Sequence, residues 1–130
     1  MTRRHSATLL IAGACALAAI SVHSAVAPLF ANTSHGKDLF ERRCTGCHAL
    51  DHEKTGPRLR GVFGRPAGSV PSFPYSEAIR NSRIIWDASS LDKWLTDPDA
   101  FVPDNDMAFR VTNPEERTSI IEYLKELSQK

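Results

Sequence analysis

Two cysteines and a histidine form the segment of this sequence with the clearest capacity for chemistry. Cys44 and Cys47 are separated by two residues, and His48 follows directly, in the stretch RCTGCH at 43–48. This spacing is compatible with a zinc site, a redox-active dithiol or the covalent attachment of haem. Which of the three applies decides what the protein does.

Zinc and dithiol chemistry fit the surrounding sequence poorly. A closed zinc site needs four ligands, usually in two pairs, and no second cysteine pair or finger-spaced histidine pair follows His48. A thioredoxin-like dithiol follows a strand and opens a helix, whereas the segment before Cys44 is predicted to be helical. A simple disulfide between Cys44 and Cys47 remains compatible with the sequence, but it leaves His48 without a role.

Haem attachment accounts for all three residues. Each thiol adds to one vinyl group, and the two intervening residues let both sulfurs reach the haem from one turn of chain. His48 then supplies a neutral imidazole to the iron. Apart from Met1, the only methionine is Met107, in the polar stretch VPDNDMAF. Its thioether is a soft ligand that favours ferrous iron, although a lone methionine can also serve core packing.

The N-terminus has the features of a secretory signal. Arg3 and Arg4 precede an uncharged apolar run at 7–22, which predicts a signal peptide at 1–31 and a mature domain at 32–130. Several small residues before position 32 are compatible with cleavage. The alternative is an uncleaved membrane anchor, for which the run is short, since a span needs about 20 residues.

Export changes the charge balance of the mature domain. Arg3 and Arg4 are two of the 16 basic residues, and all 15 acidic residues follow the predicted signal, which leaves 14 against 15, or −1. A domain so near neutrality has no electrostatic basis for binding nucleic acid or an anionic membrane surface. We expect neither, and no stable membrane insertion once the signal is removed.

The predicted fold class is all-α, with three main helices. From apolar spacing and capping residues, the helices are 34–47, beginning near Ser34; 89–97, capped by Ser89 or Ser90; and 113–127, with Asn113 as cap and Pro114 at its first position. A short helical turn is predicted at 76–81. Residues 56–75 contain four glycines and four prolines and predict a long loop. So much irregular chain beside three helices leaves an interior that a large flat cofactor would fill.

The sequence from Gly36 to about Leu127 resembles class I c-type cytochromes, in the branch of mitochondrial cytochrome c and bacterial cytochrome c2. The resemblance rests on separated motifs: CTGCH, TGPRLRGVFGRPAG, FPYSEA, IIWD, FVPDNDMAF and ERTSIIEYLKEL. It implies the cytochrome c fold, in which three main helices and long loops wrap around one covalent haem c. It also places Met107 at the family's methionine position, opposite His48 as iron ligand.

The resemblance implies roles for further residues. The Pro57 carbonyl would bond the second ring nitrogen of His48, and Arg65, Tyr75 and Trp86 would stand near the haem propionates. For Trp86, plain core packing is the alternative.

Two other implied roles concern Asn105, a polar group beside the propionates, and Phe109, beside the exposed haem edge. Packing is the alternative for Phe109. Gly36 and Phe40 would let the first helix pack closely on the last, near Tyr123 and Leu124.

Three departures from the family pattern stand out. Trp94 occupies the position of a tyrosine that donates to the methionine sulfur, so an indole N–H would have to replace it. Ile79 replaces an asparagine that helps to hold buried water. Charges around the haem edge are mixed rather than lysine-rich, with arginines and Lys54 on one side and Asp99, Asp104 and Asp106 beside Met107.

The function implied is that of a monomeric, non-enzymatic electron carrier in the bacterial periplasm. It would link a respiratory complex or dehydrogenase to a terminal oxidase or reductase by transient docking. The alternative is a haem enzyme or gas sensor with an open sixth coordination site, which requires Met107 to be detached from the iron.

Overall fold

The computed structural model describes residues 29–129. Its helices are α1 (Leu29–Arg43), α2 (Glu77–Asn81), α3 (Ala88–Thr96), α4 (Pro98–Phe101) and α5 (Pro114–Ser128). Within this range there is no strand, and an isolated antiparallel bridge joins Pro66 to Ile85. The prediction of an all-α chain with three main helices is confirmed. Residues 1–28 of the predicted signal segment lie outside the described residues.

Helix α1 differs from its prediction at both ends. It begins at Leu29 rather than near Ser34, because no glycine or proline between 29 and 33 stops the helix from extending. It ends at Arg43, so the two cysteines lie in the turns that follow. The Cys44 N–H donates to the Phe40 carbonyl at 2.9 Å, and the His48 N–H donates to the Cys44 carbonyl at 2.8 Å. These bonds fold the motif into a tight turn.

The caps of the other helices are partly as predicted. Asn113 accepts from the Glu115 and Glu116 N–H groups at the start of α5, so this predicted cap is confirmed. The short helical turn predicted at 76–81 is α2, which Ser76 caps. For α3 the prediction of Ser89 or Ser90 was wrong, because the cap is Asp87. Asp87 accepts from the Ser90 N–H at 2.7 Å, and the Ser90 hydroxyl accepts from the Asp87 N–H at 2.8 Å. This reciprocal pair satisfies two N–H groups at the start of the helix.

Helices α1 and α5 form the main helix pair. Gly36 faces Ser119 and Tyr123 so closely that a Cβ at Gly36 would overlap the Ser119 carbonyl and lie 2.9 Å from the Tyr123 Cβ. One turn along, the rings of Phe40 and Tyr123 pack with centroids 5.6 Å apart. The predicted close approach of the first and last helices at Gly36 and Phe40 is confirmed.

The long loop predicted at 56–75 is also present, and it is fixed to the segment before α3. The Trp86 N–H donates to the Arg65 carbonyl at 3.0 Å, and the Gly64 N–H donates to the Trp86 carbonyl. The Ala67 N–H donates to the Ile84 carbonyl at 2.9 Å. These bonds give Arg65 and Trp86 fixed positions without a sheet. None of the helices between residues 29 and 129 is both long enough and apolar enough to cross a bilayer.

Candidate functional site

A cavity of about 480 Å³ lies between the long loop, helices α2 and α3, and the segment that carries Met107. Much of its wall is apolar, including Leu59, Val62, Ile79, Leu91, Leu95 and Leu124. The predicted site residues in its lining are Cys47, His48, Pro57, Arg65, Tyr75, Trp86, Met107 and Phe109. Cys44 and Asn105 do not contribute to the lining. The fold therefore brings most of the predicted site to one apolar space.

The His48 ring is held in one orientation. Its Nδ1 lies 2.7 Å from the Pro57 carbonyl, and because a carbonyl can only accept, Nδ1 carries the proton. Burial lowers the pKa of His48, partly opposed by this hydrogen bond. The imidazole is therefore neutral at neutral pH, with its Nε2 lone pair available to a metal.

Gly56 closes the loop directly against this ring. Its N–H donates to the Cys47 carbonyl at 2.8 Å. A Cβ at Gly56 would lie 2.7 Å from both nitrogens of the His48 ring, a distance that leaves no room for a side chain. Sequence reasoning did not single out Gly56, although its place directly before Pro57 was the available signal.

The two cysteines differ in environment. Cys44 is half-buried, Cys47 is exposed, and both thiols are free. Burial raises the pKa of Cys44 to about 11, with the nearby Arg43 charge opposing the shift. Between residues 29 and 129, no three His, Cys, Asp or Glu side chains form a group that could hold a metal ion. The CxxCH turn is therefore not one half of a larger ligand cluster within that range.

Met107 is contacted at both its sulfur and its backbone. The indole N–H of Trp94 donates to the Met107 Sδ at 3.1 Å, which is the geometry that the tyrosine replacement required. The Asn105 Oδ1 accepts from the Met107 N–H at 2.7 Å. Sequence reasoning missed the second bond, although an asparagine whose side-chain oxygen accepts from the N–H two residues later is a common turn arrangement.

Arg65, Tyr75 and Trp86 line a polar corner of the cavity, in which Trp86 is buried and Arg65 and Tyr75 are half-buried. The Arg65 guanidinium donates to the carbonyl oxygens of Arg58 and Arg60, at 3.0 and 3.3 Å. Its buried Nε has no hydrogen-bond partner in the described structure. Burial lowers the pKa of Arg65 and raises that of Tyr75.

This corner fits an anionic group of a cofactor. A buried donor without a partner costs about 1–3 kcal/mol, and a carboxylate beside Arg65 and Tyr75 would remove that cost. Haem carries two such carboxylates, and the remaining cavity is apolar, as a porphyrin requires. The cavity, the free thiols and the neutral His48 imidazole therefore fit a covalently attached haem.

Comparison with known proteins agrees with this geometry. Residues 33–128 match the protein-family model described as Cytochrome c. The chain belongs to the cytochrome c family. It is 41% identical over 99 residues to cytochrome c of Euglena viridis. The aligned region covers 74% of this chain and 97% of that protein.

The chain is also similar to bacterial members of the family. Cytochrome c2 iso-2 of Magnetospirillum molischianum is 40% identical over 87 residues, covering 65% of this chain and 90% of that protein. The solved structure of cytochrome cH from Methylobacterium extorquens superposes with a TM-score of 0.69 at 34% identity, covering 72% of this chain and 97% of that structure. The predicted cytochrome c fold is thereby confirmed.

Family membership fixes the cofactor and the general role. Cytochrome c proteins carry one haem c attached through a CxxCH motif, and here its cysteines are Cys44 and Cys47. They are electron carriers and not enzymes, so this family member is one as well.

If Met107 binds the haem iron, as the family resemblance implies, the indole donor at its sulfur affects the reduction potential. A hydrogen bond to a thioether withdraws electron density from the sulfur and so favours ferrous over ferric iron. We expect Trp94→Phe to lower the potential by about 20–60 mV, the equivalent of one hydrogen bond of about 0.5–1.5 kcal/mol. Redox titration of the haem-loaded protein measures the change. Trp94→Tyr supplies a hydroxyl donor and should restore part of it, whereas an unchanged potential in Trp94→Phe would contradict the role of the indole.

Proposed function

We propose that this cytochrome c is an exported periplasmic electron carrier whose haem iron is bound by His48 and Met107. One observation carries the proposal: a neutral imidazole with a free Nε2 and a thioether lie in the wall of the same cavity. Bound haem would supply one-electron exchange between ferric and ferrous iron. With His48 and Met107 both bound to the iron, no open position would be left there for a substrate.

The surrounding residues support a rigid redox centre. Pro57 fixes the His48 ring through its carbonyl, and Trp94 fixes the Met107 sulfur. The apolar wall excludes water, and Arg65 and Tyr75 supply donors for carboxylates. Because these groups are held by the fold in advance, a change of one charge at the iron requires little rearrangement.

The proposed partners are a membrane electron-transfer complex or dehydrogenase as donor and an oxidase or reductase as acceptor. Phe109 lines the cavity and is 41% exposed, so a docked partner would approach there. Many charges of the predicted basic side are paired, in the ion pairs Arg43–Glu116, Arg58–Glu53 and Arg60–Asp51. Docking should therefore be brief and only weakly dependent on salt.

The proposed location rests on the predicted signal at 1–31 and on the bacterial relatives cytochrome c2 and cytochrome cH. The same segment would direct the chain to the compartment in which haem c is attached. We propose that the mature protein is monomeric there.

The proposed ligation is tested by the visible spectrum of protein produced together with a haem-attachment system. The oxidised wild type should show the weak far-red band of methionine bound to iron. Met107→Ala should lose this band and, when reduced, bind carbon monoxide rapidly, because the sixth site is then open. A wild type without the band, or one that binds carbon monoxide rapidly, would contradict the proposal and favour an open-site haem protein.

A further inference from the structure

The Asn105 side chain contacts the backbone of the segment that carries Met107. Besides accepting from the Met107 N–H at 2.7 Å, Asn105 donates from Nδ2 to the Val102 carbonyl at 2.9 Å and to Asp99 Oδ1 at 3.2 Å. Asp99 lies in α4, and Val102 is the C-cap residue directly after its end at Phe101. Asn105 therefore ties the Met107 backbone to the end of a helix.

Two ion pairs hold this arrangement from the other side of Met107. The Arg110 guanidinium lies 2.9 Å from Asp97 Oδ1 and 3.4 Å from Asp99 Oδ2. Asp97 also caps α4 by accepting from the Ala100 N–H at 3.1 Å. Arg110 thus joins the residues that follow Met107 to the same helix that Asn105 contacts.

The backbone directly before Asn105 adopts an uncommon conformation. Asp104 has a φ of 63°, which places it in the left-handed region. A residue other than glycine adopts this region seldom, and it persists where surrounding contacts hold it. Asn105, the next residue, supplies three such contacts. The turn that leads to Met107 is therefore maintained by this side chain.

We propose that Asn105 is a positioning residue for Met107, and that Arg110 supports it through Asp97 and Asp99. The inference rests on the proposed binding of Met107 to the iron. Detachment of Met107 requires its segment to move away, and a weaker anchor raises the fraction of molecules in which the sixth site is open. An added ligand then binds more tightly in proportion to that fraction.

The test is a titration of the oxidised, haem-loaded protein with imidazole. The loss of the far-red band measures how much imidazole has replaced Met107 at the iron. Asn105→Ala should bind imidazole about tenfold more tightly than the wild type. Asn105→Ser keeps an oxygen that can accept from the Met107 N–H and should recover part of the difference. Arg110→Gln should tighten binding about twofold to fivefold, as expected for exposed ion pairs. Arg80→Gln, at an exposed arginine of α2, should leave it unchanged.

Two different results would overturn the inference. If Asn105→Ser and Arg110→Gln, which are both mild changes, and any folded Asn105→Ala all bind imidazole as the wild type does, the anchor does not control Met107. If the wild type itself lacks the far-red band, Met107 is not a ligand, and both the proposed ligation and this inference fail. The first result leaves the ligation intact, so the two failures are distinguishable.

Discussion

Gly36→Ala should lower the free energy of unfolding of the haem-loaded protein by about 2–4 kcal/mol. The added methyl group would overlap the Ser119 carbonyl and crowd the Tyr123 Cβ, and a backbone carbonyl in a helix cannot turn aside. Helices α1 and α5 would have to separate, which also loosens the contact between Phe40 and Tyr123. Overpacking of this kind costs about 1–3 kcal/mol and occasionally more, and lost packing adds to it.

Helix propensity acts in the opposite direction at this position. Alanine is favoured over glycine within a helix by about 1 kcal/mol. The sign of the measured change in stability therefore shows whether helix propensity or the steric overlap with Ser119 and Tyr123 dominates. Denaturant unfolding of wild type and variant gives the difference. Gly46→Ala is a matched control, because a Cβ there would meet no atom within 4 Å. Equal or higher stability in Gly36→Ala would show that the helices can separate at little cost.

Gly56→Ala should displace the His48 ring. A methyl group at this position would lie 2.7 Å from both ring nitrogens, so the ring has to move away and lose its hydrogen bond to Pro57. We expect a loss of stability of about 2–4 kcal/mol from overpacking and the broken hydrogen bond. Because His48 is the proposed ligand, the oxidised spectrum should also lose its low-spin character.

The spectrum separates this effect from a general loss of stability. Gly36→Ala changes a contact away from the cavity and should keep the wild-type spectrum while folded, and Gly46→Ala should keep both spectrum and stability. The NMR resonance of the proton on the His48 Nδ1 gives a second measurement, because its chemical shift depends on the hydrogen bond to the Pro57 carbonyl. If Gly56→Ala retains the wild-type spectrum and this resonance, the loop can move to make room for the methyl group.

Local sequence signals were sufficient for part of the fold and the site. Asn113 and Pro114 predicted the start of α5 correctly, because capping depends on adjacent residues alone. Cys44, Cys47 and His48 predicted haem attachment for a similar reason, since the chemistry requires that spacing. In both cases the residues that interact are neighbours in sequence.

Other features could not be predicted, for two different reasons. The cap of α3 is a local choice: the Asp87 carboxylate and the Ser90 hydroxyl accept from each other's N–H groups, but Asp87, Ser89 and Ser90 are all residue types that can cap a helix. The bond from Trp94 to Met107 depends on how α3 is placed beside a distant loop. The roles of Asn105 and Gly56 likewise follow from backbone positions that composition does not specify.

The pairing of α1 with α5 sets an order of events during biosynthesis. Arg43 and Glu116, which join the two helices, are 73 positions apart, so the pairing requires most of the mature domain to be present. The partner surface of α1 therefore does not exist until α5 has emerged. Until the two helices pair in the exported chain, the CxxCH turn has no closed fold around it, so both thiols are accessible to an attachment enzyme. Cys44 is half-buried only in the folded chain, so covalent attachment can precede folding.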